Sequence, residues 1–294
     1  MQITLGPVAY HWPKARLDAF YEAMAAAPVD RIYLGETVCS RRREYRTPDW
    51  LDAAARLTAA GKEVVLSSQV LMESEADLRT LRRLAADARF AIEANDMGAV
   101  HMVAGHVPFV AGAHLNVYNA QTLAFLASLG ASRWVPPFEM TSGNLASILA
   151  EAPAGIETEV FAYGRLPLAF SARCFTARHY DLPKDECRFV CIDHADGLVL
   201  ATRDREPFLV LNGIQTQSHR VLNLVDALPR MRTLGVHAVR IAPQAEHTLE
   251  VVAAFRSALD GAGPADVAKA LEAALPAPAC NGYWHDRAGL EQVA

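Results

Sequence analysis

The sequence predicts an α/β fold, a TIM-barrel-like (β/α)8 barrel with a cysteine-bearing insertion after a late strand. Short apolar segments alternate with longer helical segments through most of the 294 residues. Helical segments repeatedly end in glycine just before an apolar segment, at Gly61, Gly130 and Gly235, as is common where a helix stops ahead of a strand. About eight such strand–helix units in one domain-sized chain are typical of a closed parallel barrel.

The units are assigned in chain order. ITLGPV precedes the helical DAFYEAMAAA, RIYLGE precedes DWLDAAARLTAAG, and EVVLSSQ precedes ESEADLRTLRRLAADA. Apolar residues at helical spacing also predict helices at NAQTLAFLASLG, at TSGNLASILAEA and in two C-terminal segments. The predicted strands are 3–8, 31–36, 63–69, 90–95, 100–105, 113–117, 133–139, 156–164 and 237–244.

One segment departs from this alternation. Between residues 166 and 212 the helical period is lost, and GLVLATRD and FLVLNG predict an antiparallel pair of strands. We interpret 1–294 as a single barrel-like domain with 166–212 inserted after the strand that ends at Gly164. Loops that follow the C-termini of barrel strands build the active face of barrel enzymes, so the insertion is expected on that face.

Composition and charge restrict the function. The chain has 52% hydrophobic and 21% charged residues and a net charge of −5, unlike a nucleic-acid-binding protein with a basic face. The N-terminal MQITLGPVAYHWPK does not resemble a signal peptide, and the apolar runs are too short for a membrane span. A cytoplasmic protein is expected. The densest basic run, Arg41, Arg42 and Arg43, is interpreted as a solvated loop.

Three of the five cysteines lie in SARCFTARHYDLPKDECRFVC: Cys174, Cys187 and Cys191. Their charged neighbours are unlike those of core cysteines, and Cys39 follows the second predicted strand, which places it on the same face. An odd number of cysteines in a cytoplasmic chain favours metal binding or catalysis. Four thiolates suit a cubane iron–sulfur cluster, and zinc is second because structural zinc usually takes paired short Cys-x2–4-Cys segments. Spacing alone leaves either Cys39 or Cys280 as the fourth ligand.

YLGETVCSRR, FAYGRLPLAFSARCFTARHYDLPKDECRFVC and NGYWH resemble the collagenase-like peptidase family. The resemblance covers nearly the whole chain and points to members that act in oxygen-independent ubiquinone biosynthesis. It implies a [4Fe–4S] cluster bound by Cys39, Cys174, Cys187 and Cys191, with Cys280 outside it. It also implies a heterodimer with a UbiU-like sister protein that carries its own cluster. The pair would be an O2-independent hydroxylase whose possible substrate is a ubiquinone precursor.

Two other functions stay open on the residues. One is a zinc-stabilised scaffold that positions a catalytic partner, and the other is a peptidase. Proteolysis is disfavoured because no HExxH or GxSxG signature is present, and cysteines that bind a cluster are not free to act as nucleophiles. The sequence assigns no catalytic residue.

Several polar residues are further candidates. Glu36, Glu159 and Asn116 interrupt apolar strands, and each is either a hydrogen-bonded residue of the barrel interior or a contact to a substrate or to the surroundings of the cluster. Arg165 is expected either to pin the insertion to the barrel or to bind a carboxylate. The scattered histidines are interpreted as structural or surface residues: His11, His106, His114 and His179.

Overall fold

Eight parallel strands close into a barrel in the computed structural model, which describes residues 1–87 and 89–293. Each strand pairs in parallel with the next, and the last pairs with both the first and the seventh. The TIM-barrel-like prediction is confirmed. The barrel strands are β1 (Gln2–Leu5), β2 (Arg31–Leu34), β3 (Glu63–Ser67), β4 (Ala91–Ala94), β5 (Phe109–Ala111), β6 (Ala131–Trp134), β7 (Glu157–Phe170) and β11 (Ala238–Ile241).

Helices connect the strands and pack apolar faces against the barrel. In the second helix, for example, Trp50, Ala53 and Leu57 are buried at helical spacing. The helices are α1 (Lys14–Ala26), α2 (Thr47–Ala59), α3 (Glu75–Ala85), α4 (Met97–Val103), α5 (Ala120–Ser128), α6 (Ser142–Glu151), α7 (Phe175–His179), α8 (Leu228–Thr233), α9 (Thr248–Leu259) and α10 (Pro264–Ala274). None of the helices in the described ranges is long and apolar enough to cross a membrane.

The predicted glycine stops are confirmed. Gly61, Gly130 and Gly235 follow α2, α5 and α8 with φ of +84°, +104° and +78°, a backbone region in which glycine is favoured. Residue 88, the end of the third predicted helical segment, and residue 294, the end of the predicted domain, lie outside the described residues.

An antiparallel sheet extends from one side of the barrel. The C-terminal half of β7 pairs with β10 (Gln215–Asn223), which pairs with β9 (Pro207–Asn212), which in turn pairs with β8 (Leu198–Ala201). The predicted antiparallel pair is therefore confirmed as β8 and β9. Short β12 (Ala279–Cys280) pairs in parallel with Val221 and Leu222 of β10, on the edge opposite β7 and beyond the end of the β9 pairing. Between β7 and β8 the chain forms α7 and two 3-10 turns, Lys184–Glu186 and Val190–Asp193.

Two predicted strands are wrong. Residues 100–105 lie mostly in α4, because the Asp96 side chain caps this helix and its apolar residues bury one helical face. Residues 113–117 contain a 3-10 turn, and the barrel strand is β5, immediately upstream. Asn116 is exposed in this loop with φ of +55°, so it does not belong to the barrel interior.

The barrel interior contains a buried ion-pair network. Glu159 of β7 accepts hydrogen bonds from Thr4 Oγ1 and Tyr33 Oη, each at 2.7 Å, and from Arg240 Nε at 2.6 Å. Arg240 also donates to Glu93 at 2.6 Å. Burial raises the pKa of Glu159, but the Arg240 guanidinium and the hydrogen bonds outweigh burial and hold that pKa below its ordinary value. Glu159 is thus a hydrogen-bonded residue of the interior, one of its two predicted roles.

Candidate functional site

The four cysteines predicted as ligands lie beyond the C-terminal ends of barrel strands. Cys39 lies between β2 and α2, Cys174 directly precedes α7, and Cys187 and Cys191 lie at the two 3-10 turns that follow. In a parallel barrel these strand ends share one rim. All four thiols are half-buried, whereas Cys280 in β12 is fully buried.

The charges of the four thiols influence one another. Burial raises the pKa of Cys39 above its ordinary value, Arg42 opposes the rise, and Cys174 adds to it. Burial also raises the pKa of Cys191, again opposed by Arg42, with contributions from Cys174 and Cys187. Charge effects between partly exposed groups fade beyond about 10 Å. Cys39 and Cys191 are thus each near enough to Cys174 to be affected by its charge, and Cys191 is also affected by that of Cys187.

The donor chemistry of this group fits an iron–sulfur cluster. All five cysteines are free thiols, and a [4Fe–4S] cluster takes four thiolates, one on each iron. Among residues 1–87 and 89–293, no group of three or more His, Cys, Asp and Glu side chains is positioned to hold a single metal ion. The fit to a cluster therefore rests on the number and chemistry of the thiols and not on a preformed metal site.

Arg42 is buried at the centre of the cysteine face. Its Nη1 donates to the Ala9 carbonyl and its Nη2 to Asn212 Oδ1, each at 2.7 Å, and Nη1 lies 3.6 Å from Glu36 Oε1. The prediction of a solvated loop is wrong for Arg42, which is 5% exposed, whereas Arg43 is exposed. Arg42 is buried because its partners come from three parts of the chain: the β1–α1 loop, its own β2–α2 loop and the end of β9.

Glu36 shapes the loop that carries Cys39. Its Oε1 accepts hydrogen bonds from the Val38 N–H at 2.9 Å and from the Cys39 N–H at 3.0 Å. Burial raises the pKa of Glu36, while Arg42 and the two N–H groups oppose that rise. Of its two predicted roles, the structure gives Glu36 the position beside the predicted ligands, because its carboxylate lies past the end of β2.

His11 contacts Cys191, a contact that the sequence did not indicate. The His11 Nδ1 atom lies 3.3 Å from Cys191 Sγ, and its ring packs edge-on against Phe189 with centroids 5.9 Å apart. Burial, assisted by Arg42, lowers the pKa of His11 to about 4, so the ring is neutral at pH 7. In the tautomer with hydrogen on Nδ1, it donates to the sulfur. The sequence feature that could have indicated this contact is the position of His11 in the loop after β1, on the same rim as the cysteine loops.

Charged side chains join the segment of Cys187 to two neighbouring loops, the loop of Cys39 and the loop between β3 and α3. Arg41 Nη1 lies 2.9 Å from Asp185 Oδ1, and Arg41 Nη2 donates to the Asp185 carbonyl at 2.7 Å. Lys184 Nζ lies 2.6 Å from both Glu73 Oε2 and the Ala172 carbonyl. Exposed pairs of this kind contribute about 0–1 kcal/mol each, so their main effect is to set the position of the Cys187 segment relative to the two loops.

The turn between Cys187 and Cys191 is strained. Arg188 and Phe189 have φ of +51° and +56°, which is uncommon for residues other than glycine. Consecutive left-handed residues cost about 1–3 kcal/mol each, and such strain concentrates at ligand-binding sites.

Other predicted candidates lie apart from the thiol group. Arg165 Nη1 donates to the carbonyls of Ser218, at 3.3 Å, and His219, so it pins β10 to β7. His179 is exposed at the end of α7. Burial raises the pKa of Cys280 to about 11, which keeps it a neutral thiol.

Comparison with known proteins gives a family and several solved structures of low similarity. Residues 16–293 match the family described as Peptidase family U32. The U32 peptidase Mk0906 is 14% identical over 84% of this chain and 94% of that chain, with a TM-score of 0.44. The spore cortex-lytic enzyme SleL of Bacillus cereus is 9% identical over 90% and 75% of the respective chains, with a TM-score of 0.42. The N-acetylneuraminate lyase of Aliivibrio salmonicida is 11% identical over 92% and 78%, with a TM-score of 0.38.

Proposed function

The chain belongs to peptidase family U32, and we propose that within this family it is a UbiV-like iron–sulfur protein of oxygen-independent ubiquinone biosynthesis. It acts in the cytoplasm as a heterodimer with a UbiU-like sister protein. The pair hydroxylates a ubiquinone precursor without O2. The cofactor of this chain is a [4Fe–4S] cluster with four ligands: Cys39, Cys174, Cys187 and Cys191.

The observation that supports this proposal most is the grouping of four thiols on one barrel face. Cys39 is far in sequence from the other three, and the parallel barrel brings its loop to the same rim as the insertion. The remaining cysteine, Cys280, is buried in a different strand. The loops of four thiols thus share one rim without the fifth, and four is the number of thiolates that a fully ligated cubane cluster requires.

The surrounding residues have distinct roles in this proposal. When bound, a cluster with four thiolate ligands supplies one-electron transfer. Arg42 offsets the negative charge of the thiolates and links their loops, Glu36 holds the backbone at Cys39, and His11 orients a ring nitrogen toward Cys191. Full cysteine ligation favours electron transfer or a structural role over binding of substrate at iron.

The Cys191–His11 contact does not favour a peptidase. A cysteine nucleophile needs a thiolate, which a neighbouring imidazolium stabilises by lowering the thiol pKa. Here burial raises the pKa of Cys191 and lowers the pKa of His11 to about 4. Both shifts oppose formation of the charged pair at neutral pH.

The pathway assignment predicts a growth-condition-specific phenotype. In a bacterium that makes ubiquinone both with and without O2, we expect deletion of this gene to lower ubiquinone at least about tenfold in anaerobic cultures only. In the deletion strain, a copy of the gene with Cys280→Ala should restore the ubiquinone content and a copy with Cys191→Ala should not, because Cys191 is a proposed ligand and Cys280 is not. The measurement is ubiquinone content in extracts. The assignment would be contradicted if the Cys191→Ala copy restored ubiquinone fully in anaerobic cultures. It would also be contradicted if a wild-type copy that gives soluble protein restored none.

A further inference from the structure

We propose that an arginine surface beside the cysteine face docks an acidic electron-transfer protein. The surface consists of Arg41, Arg43, Arg46, Arg79 and Arg83. This proposal rests on the proposed iron–sulfur function, because the docked protein is the electron donor. In each encounter the donor loses one electron, no bond forms or breaks, and the acceptor is the group held by the four cysteines.

The arginine surface is continuous with the thiols. Its five residues line a cavity of about 550 Å³ between the starts of α2 and α3. Arg41 also lines a neighbouring cavity with Cys39, and Arg41 and Arg43 line a third with His11 and Phe189. A protein seated on the arginines therefore covers the approach to the half-buried thiols.

Most of this positive charge is not neutralised within the chain. Arg43, Arg46, Arg79 and Arg83 are exposed, and within the described ranges none of the four has a carboxylate oxygen within 4 Å of its guanidinium nitrogens. Only Arg41 is paired, with Asp185. The chain as a whole has a net charge of −5, whereas four unpaired arginines at one place give this surface a local excess of positive charge.

The carboxylates that line these cavities already have partners. Glu36 lies beside Arg42, and Asp77 accepts from the N–H groups of Glu73 and Ser74. Glu73 pairs with Lys184, and Asp185 pairs with Arg41. Glu44 accepts a hydrogen bond from the backbone N–H of Lys14. These contacts do not remove the charges of the acids, but seven Arg and Lys side chains and five Asp and Glu side chains line the three cavities, so their lining keeps a net positive charge.

An acidic protein fits this arrangement better than a small anion does. The four unpaired arginines are exposed and spread over the β2–α2 loop and α3, and broad complementary charge of this kind speeds and orients protein encounters. Fast electron transfer needs such an encounter next to the acceptor, and Arg41 lies two positions from Cys39.

The test uses a flavodoxin as the acidic donor and full-length protein handled without air. Arg79→Glu/Arg83→Glu reverses two charges of the arginine surface. Arg203→Glu/Arg230→Glu makes the same change in net charge at exposed positions in the β8–β9 turn and on α8. Binding is measured by titration at low and at moderate salt, which requires no cluster. Reduction of the proposed cluster by the flavodoxin hydroquinone is followed in the visible spectrum. Photoreduced deazaflavin, a small reductant that needs no docking surface, serves as the comparison.

We expect wild-type affinity to fall about tenfold between about 50 and 250 mM salt. The association rate of Arg79→Glu/Arg83→Glu should fall about tenfold or more, and that of the control double variant less than about threefold. The rate of reduction by photoreduced deazaflavin should be the same in the wild type and in both double variants. Equal binding by the two double variants would overturn the proposal, as would micromolar binding of citrate without binding of flavodoxin. A protein that binds flavodoxin but contains no iron would instead refute the proposed function.

Discussion

Replacing Arg42 with alanine is expected to lower the free energy of unfolding by about 3–5 kcal/mol, as for other broken buried ion pairs. The substitution leaves Glu36 without its cation and removes the donors to Ala9 and Asn212. Because these partners join the β1–α1 loop, the β2–α2 loop that carries Cys39 and the end of β9, we also expect Arg42→Ala to bind less than half of the wild-type iron.

Urea unfolding and iron analysis of anaerobically purified protein measure these effects. Arg43→Ala is the matched control, since the neighbouring side chain is exposed and its loss should change stability by about 0.5 kcal/mol or less. Arg42→Lys keeps the charge but not the planar, forked guanidinium. Its free energy of unfolding and its iron content should therefore lie between those of Arg42→Ala and Arg43→Ala. If Arg42→Ala is as stable and as rich in iron as Arg43→Ala, Arg42 does not organise the face.

Replacing Glu159 with alanine should also destabilise the fold by about 3–5 kcal/mol. The change leaves Arg240 inside the barrel with Glu93 as its remaining close carboxylate, and it removes the acceptor of Thr4 and Tyr33. The matched control is Glu246→Ala: Glu246 is 78% exposed and pairs with Arg16 at 3.0 Å. An exposed pair contributes at most about 1 kcal/mol. Similar losses in the two variants would show that the interior network does not hold the barrel.

Acid should weaken the wild type partly through Glu159. Its pKa is lower in the folded chain than in the unfolded chain, so its ionised form stabilises the fold above the ordinary Glu value of about 4.3. That contribution is lost as the pH falls below this value and through the lower folded pKa. In urea unfolding between neutral pH and pH about 3, Glu159→Gln should therefore lose less stability than the wild type does. An identical decline would contradict the paired carboxylate.

Local sequence patterns predicted most of the barrel, and they failed where two structures share one pattern. The segment at 100–105 is as apolar as a strand, and only the Asp96 cap and the one-sided burial of α4 make it helical. The strand β5 is three residues long, too short to produce a clear alternation. The stops at Gly61, Gly130 and Gly235 were predictable because helix termination is a local property.

The candidate site was only partly predictable for a related reason. The barrel topology places the loops of Cys39 and Cys174 on one rim, so strand order is sufficient to group them. The burial of Arg42 depends on Asn212, and the contact of His11 depends on Cys191, both far away in sequence. No local pattern reports such pairs, so a buried arginine in a basic run resembles a solvated one.

Iron and acid-labile sulfide content, measured with the visible spectrum on protein purified without air, tests the four-thiolate site most directly. We expect about four iron and four sulfide per chain in the wild type and in Cys280→Ala. Cys39→Ala, Cys174→Ala, Cys187→Ala and Cys191→Ala should each lose the cluster and its colour while remaining folded. Colourless wild-type protein that contains zinc, which has a filled d shell, or a full iron content in Cys39→Ala, would contradict the proposed cluster.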